Sequence, residues 1–186
     1  MVGRCVRVED EKLWQKYATR RAAVRNKGVP PFAEKQPETL GLLPFSAKKT
    51  LDRSVNEVWL FHGTSEEAAR AIGSSDFRLP GHPGLLGKGL YFAEWATKSD
   101  GYSKKNDKGE KVMMLCRVIL GQTLRLPDGQ ADHHAENLIN GTSNDSLLGM
   151  PAPNGTSLCP CKGAREFLVY DNSLVYPEYI MFYKSS

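Results

Sequence analysis

The stretch VWLFHGTSEEAARAI, residues 58–72, decides how the rest of the chain is read. Val58 to Phe61 is a short apolar run ending abruptly at His62-Gly63-Thr64, the pattern of a strand that stops at a turn. Ser65 then stands where a helix cap belongs. Glu66 and Glu67 occupy the first turn, where carboxylates suit the positive end of the helix dipole. Upstream, residues 9–27 read as an amphipathic helix. Leu13, Trp14, Tyr17, Arg21 and Val24 recur at three- and four-residue steps, and Gly28 with Pro30-Pro31 ends the element. Phe32 to Ser54 reads as a loop with a short helix.

Downstream, Ser74 to Gly87 is a loop, dense in turn residues at Pro80-Gly81-His82-Pro83-Gly84. Gly89 to Ala93 reads as a strand and Trp95 to Tyr102 as a short helix. KVMMLCRVIL, residues 111–120, is nearly all apolar and suits a strand buried on both faces. From Gly121 to Ala164 periodicity is weak, and the segment reads as connecting structure. Glu166 to Tyr170 and Val175 to Tyr183 close the chain as two strands around a turn at Asp171-Asn172-Ser173. No internal repeat is present. The balance is α+β, with strands predominating after residue 57.

Composition narrows the function classes. The 186 residues suit one domain at roughly 150 residues each. A chain of this size buries about 70% of its unfolded surface and needs no disulfide or metal to hold it. A net charge of +4 is too small to imply nucleic-acid binding by itself. No apolar run reaches the ~18 residues of a membrane span, so no membrane partner is expected. MVGRCVRVEDEKLW has no apolar signal core, which leads to the expectation of an intracellular protein, nuclear or cytoplasmic. The four cysteines are then reduced thiols. The glycosylation-type triplets at Asn140, Asn144 and Asn154 read as chance matches.

Four segments stand out together: FHGT at 61–64, GKGLYFAE at 87–94, TKSDGY at 97–102 and REFLVYD at 165–171. Each is weak alone, since a histidine after a strand or a Tyr-Phe pair is more often packing than chemistry. In this order and spacing they resemble the catalytic domain of the poly(ADP-ribose) polymerase family, the diphtheria-toxin-like ADP-ribosyltransferases of His-Tyr-Glu type. LWQKY resembles the family's opening helix and VYPEYIMFY its final strand, so the resemblance runs from about residue 8 to residue 183. It implies an α+β fold, a split mixed or antiparallel sheet with peripheral helices, spanning residues 1–186 as a single transferase domain without a helical autoinhibitory domain. It also implies a site open without an activator.

The resemblance implies NAD+ as substrate, with nicotinamide released and ADP-ribose passed to an acceptor. The nicotinamide–ribose bond breaks through an oxocarbenium-like transition state, as in glycoside hydrolysis. An enzyme for it must grip the carboxamide, stack on the ring, fix the ribose and place a carboxylate near the developing charge. By resemblance, the Gly63 backbone and the Ser99 hydroxyl bind the carboxamide, and a glycine allows close approach. Tyr91 and Tyr102 sandwich the ring. His62, assisted by Thr64, holds the adenosine-side hydroxyls. Glu166 is the catalytic carboxylate, acting with His62 and Tyr91, while Glu178 is the rival carboxylate assigned to the last strand, away from the site. Asp76 to Gly87 corresponds to the loop over the NAD+ site. Lys88 reads as a solvated lysine, and Lys98 as one meeting the pyrophosphate or the acceptor.

The acceptor is expected to be protein, automodification included, with nucleic acid open as an alternative and poly(ADP-ribose) elongation as an added capacity. Other readings are a catalytically inactive NAD+- or ADP-ribose-binding module and a zinc-dependent RNA-binding module. For zinc, His133-His134 with Cys159 and Cys161 offer four ligands. However, a one-residue cysteine spacing is tight for a tetrahedral ion and adjacent histidines seldom both ligate. No metal is expected.

Overall fold

The computed structural model describes residues 2–151 and 163–184. Its central strand, β2, spans Glu57–Thr64 and so continues through His62-Gly63-Thr64 instead of stopping at Phe61. The reason lies in its neighbour. β4 (Lys111–Ile119) pairs antiparallel with β2 at every position from Glu57↔Ile119 to Thr64↔Val112. A backbone ladder of this kind is indifferent to the loss of apolar side chains beyond Phe61.

Eight strands form one sheet in the order β1-β8-β4-β2-β3-β7-β6-β5. β1 is Val2–Arg7, β3 Leu90–Ala93, β5 Thr123–Arg125, β6 Ser146–Gly149, β7 Glu166–Val169 and β8 Val175–Tyr183. Only β5 and β6 run parallel among the described pairs; the sheet is otherwise antiparallel. The two closing strands do not form a hairpin. β4, β2 and β3 lie between β8 and β7, and the chain crosses the sheet through a short 3-10 turn at Asn172–Leu174 capped by Asp171. The connecting region 121–164 holds β5, β6 and a 3-10 turn at Ala135–Leu138. These elements have three or four residues, too few to carry a period.

The sheet is split. β2 meets β3 through a single registered pair, Phe61↔Ala93, whereas β3 pairs with β7 along its whole length. A four-strand half (β1-β8-β4-β2) and a second four-strand half (β3-β7-β6-β5) therefore part just past Phe61.

Helix α1 (Glu11–Lys27) starts at its Asp10 cap, whose carboxylate accepts from the Leu13 N–H at 2.9 Å. It buries Tyr17 and Val24. The Tyr17 hydroxyl donates to Glu57 Oε1 at 2.5 Å, and Arg117 lies 3.3 Å from the same carboxylate. α2 (Thr39–Leu42) and α3 (Phe45–Lys49) replace the single short helix expected between Phe32 and Ser54. α4 (Glu66–Ser75) follows β2 with Ser65 as its cap, accepting from the Ala68 N–H at 3.2 Å. α5 (Ala96–Asp100) follows β3.

The main core gathers Leu60, Phe92, Met114, Phe167 and Ile180 with Tyr17 and Val24. A second cluster of Leu86, Leu126, Ala135, Ile139, Leu147 and Leu168 lies under the β5–β6 side. No helix among the described residues is long and apolar enough to cross a membrane.

Candidate active site

Where the halves of the sheet part, a cavity of about 700 Å³ opens, bounded by β2, β3, α4, α5, the head of β7 and the glycine-rich loop. His62, Gly63, Tyr91, Ser99, Tyr102 and Glu166 all line it. Thr64 does not; it is half-buried at the end of β2, and its carbonyl accepts from the Lys104 N–H at 3.1 Å.

His62 stands against two aromatic rings, edge-on to Phe77 at 5.2 Å and tilted to Phe92 at 5.5 Å. Its Nδ1 is 2.9 Å from the Tyr91 carbonyl. A carbonyl only accepts, so Nδ1 carries the proton. Burial holds the imidazole pKa below its ordinary value, against the opposing pull of that carbonyl. The neutral ring therefore leaves Nε2 as an acceptor, the right polarity for a sugar hydroxyl.

Gly63 is held so close to α5 that only a glycine fits. A Cβ there would lie 1.9 Å from the Ser99 carbonyl oxygen and 3.1 Å from Tyr102 Cβ. The Ser99 carbonyl accepts from the Tyr102 N–H at 3.0 Å and the Ser103 hydroxyl at 3.2 Å, which closes the turn presenting Tyr102. The Tyr102 side is open: the residue is 54% exposed. Tyr91 is more enclosed. Its hydroxyl accepts from the Leu86 N–H at 2.8 Å and donates to the Gly87 carbonyl at 3.0 Å. Burial, with the Glu166 charge adding to it, pushes the phenol up to about 12.

Glu166 opens β7 opposite Ala93 and is only 4% exposed. The Lys98 ammonium is 2.8 Å from its Oε1, with both side chains buried. The same ammonium lies 5.7 Å from the Tyr102 ring centre. Lys98 is thus the counter-charge of the buried carboxylate, and it lines the same cavity. Lys88 is exposed and does not line the cavity. Glu178 is buried elsewhere, 2.7 Å from Arg117 Nε and 3.2 Å from Arg7.

Beside Glu166, Arg165 and Glu94 form a buried two-pronged ion pair at 2.8 and 2.6 Å. Sequence reading missed this pair and the Phe77–Phe92 wall around His62. No local signal marks them, because each partner comes from a different element. Among the described residues no group of three or more His, Cys, Asp or Glu is placed to hold a metal ion. His133 is bonded to the Gly84 carbonyl instead, and Cys159, Cys161 and Asn154 lie outside the described residues.

The sequence matches the poly(ADP-ribose) polymerase catalytic domain over residues 2–185. The chain belongs to this family. The split sheet and seam cavity are then a poly(ADP-ribose) polymerase catalytic fold, the transferase domain that uses NAD+ as its substrate. Similar curated proteins include the mouse protein mono-ADP-ribosyltransferase PARP12, 30% identical over 151 residues, which are 75% of this chain and 18% of that protein. Human PARP11, also named a protein mono-ADP-ribosyltransferase, is 26% identical over 193 residues, 97% of this chain and 50% of that protein. A probable poly(ADP-ribose) polymerase of Dictyostelium discoideum is 32% identical over 139 residues, 69% of this chain and 34% of that protein. The chain thus spans half or less of the length of these relatives.

The residues present fit NAD+. The close approach of Gly63 to Ser99, which a Cβ would block, sets both residues side by side in the cavity wall where a planar amide can lie, and Tyr91 and Tyr102 supply aromatic surface in the same cavity. The buried carboxylate of Glu166 adds a negative group for a cationic centre.

Proposed function

We propose that this domain transfers ADP-ribose from NAD+ to protein acceptors, itself included, with Glu166, His62 and Tyr91 as the residues of catalysis. The observation that carries the proposal is convergence: residues from β2, β3, α5 and β7 meet in one cavity at the only place where the sheet parts among the described strands.

Each group has a role its geometry supports. Gly63 and Ser99 hold the carboxamide, Tyr91 and Tyr102 the ring. The Nε2 of neutral His62 accepts from a hydroxyl of the adenosine-side ribose. Glu166 accepts from the 2′-hydroxyl of the nicotinamide ribose and stabilises positive charge as the C–N bond breaks. The bonding electrons leave with nicotinamide and neutralise its ring nitrogen. The acceptor's nucleophile bonds to the anomeric carbon and passes its proton to solvent water. Lys98 keeps the buried carboxylate paired until charge develops opposite it.

The named mono-ADP-ribosyltransferase relatives support transfer of a single unit. A second reading, elongation, is favoured by Glu166 itself, since the polymerising members of the family resemble one another in having this glutamate. Incubation with labelled NAD+ and gel analysis tests both: one sharp band supports single transfer, a ladder supports elongation. Tight NAD+ binding without nicotinamide release would overturn the proposal in favour of an inactive binding module.

A further inference from the structure

The glycine-rich loop over the cavity consists of two unlike halves. Arg78 to Pro83 are all exposed, and among the described residues none hydrogen-bonds to them. The second half is pinned. Four consecutive carbonyls each have a donor: Gly84 from His133 Nδ1 at 2.9 Å, Leu85 from the Asp132 N–H at 2.8 Å, Leu86 from the Tyr170 hydroxyl at 2.6 Å, and Gly87 from Tyr91. The Lys88 N–H donates to Glu136 Oε2 at 3.1 Å. Gly87 has φ +76°, and a Cβ on it would meet that Glu136 oxygen at 2.0 Å. Leu86 is 1% exposed, sunk into the second core cluster with Leu126, Ala135 and Leu147.

Most of these partners belong to one short segment, Asp132 to Glu136, in the connection between β5 and β6. We infer that this segment, together with Tyr170, is the positioning element of the NAD+ site. It clamps residues 84–88 against the Tyr91 hydroxyl and confines loop opening to residues 78–83. His133, Glu136 and Tyr170 are therefore positioning residues that set NAD+ affinity through the loop and the Tyr91 ring. The physical basis is the count of satisfied backbone groups: each must be broken for 84–88 to swing, whereas moving 78–83 breaks none. Glycines at 81 and 84 place the permissive backbone at the free tip and at the hinge between the halves.

The inference rests on the proposed NAD+ site, so its test has one arm that is independent of turnover. Hydrogen exchange on the 186-residue chain without NAD+ should show protected amides at Gly84, Leu86 and Lys88, with Leu79, Gly81 and His82 exchanging freely. In His133→Ala and Glu136→Ala, exchange at 84–88 should rise at least tenfold. The KM for NAD+ should rise about two- to tenfold, the range of a lost hydrogen bond, with kcat within twofold. His133→Asn, which keeps an N–H donor at similar reach, should restore both. Equal exchange of the two halves in the unaltered chain overturns the inference. So does a KM unmoved in both alanine variants, and so does a fall in melting temperature with KM unchanged, the mark of a structural role alone. A chain that shows the exchange pattern but releases no nicotinamide refutes the transferase reading and leaves the clamp standing.

Discussion

Gly63→Ala is the sharpest test of the site, because the structure states how far the fit fails. The added Cβ would lie 1.9 Å from the Ser99 oxygen and 2.8 Å from its carbonyl carbon, where ordinary contact begins at 3.4 Å. About 1.5 Å must be found, and both atoms in the way are backbone. β2 cannot yield cheaply, since it is registered to β4 at Gly63↔Met113 and on both sides of that pair. α5 has only five residues and lies at the surface beside Tyr102, so it moves. Overpacking of this kind costs about 1–3 kcal/mol, which for a chain this long lowers Tm by about 2–12 °C. Function suffers more. Lys98 and Ser99 ride on α5, and a 1 Å misplacement of a positioning group can cost on the order of 10²-fold in rate. The assay is nicotinamide release alongside thermal unfolding. A folded variant with a modestly lowered Tm and turnover reduced on the order of 10²-fold is expected. Unchanged Tm and turnover would refute both the close approach and its role.

Glu166→Gln should keep NAD+ binding and lose on the order of 10² or more in kcat; normal turnover here with an inactive Glu178→Gln would reverse the assignment. Lys98→Met removes the ammonium 2.8 Å from the buried Glu166 carboxylate; breaking a buried pair in this way costs about 3–5 kcal/mol and about 6–20 °C in Tm, which calorimetry reads. Because burial lowers the His62 pKa, the neutral ring contributes stability that is fully present above the ordinary histidine value of about 6.5 and is lost as pH falls through the lowered value. Unfolding measured from pH 8 to pH 4 should show this loss, and His62→Asn should remove that part of it. Benzamide-type compounds, which copy the carboxamide and ring, should compete with NAD+; Tyr102→Ala should weaken both. Non-competitive inhibition would place them elsewhere.

How much of this was legible depends on how local each feature is. β2 and α4 could be read from residues 58–72 because an apolar run, a serine cap and two first-turn glutamates are neighbours in sequence. β4 could be read because burial on both faces demands an unbroken apolar run. β1 could not: at the sheet edge Gly3 to Arg7 stand exposed and include arginine, glycine and cysteine, with no alternation to betray the strand. β5 and β6, of three and four residues, are too short to display an alternation. The residues that line the cavity were named through resemblance, Thr64 excepted, but their mutual support was not legible. The Lys98–Glu166 pair and the His133–Gly84 bond each join distant stretches of chain. Nothing near either partner in sequence announces the other.

The seam explains why the cavity sits where it does. A continuous sheet consumes its backbone groups in ladder hydrogen bonds and has none left to offer a ligand. Here β2 is laddered to β4 through Thr64 but to β3 only at Phe61, so beyond that residue the β3 side of the strand faces a cavity. Gly63 sits two residues past the last shared pair, on the same side of the strand as Phe61 by the period of two. A polar backbone edge at an enclosed site needs partners, and an amide, with one acceptor and two donors, can satisfy both groups of Gly63 at once. The same parting explains Glu166. As first residue of β7 it pairs with Ala93, the very residue that makes the last contact with β2. The carboxylate thus projects from the point where the two halves still touch, fixed by both and belonging to the wall of the gap. Splitting a sheet costs ladder bonds, and in this domain the bonds forgone are the ones that leave the Gly63 backbone and the Glu166 side chain lining the cavity.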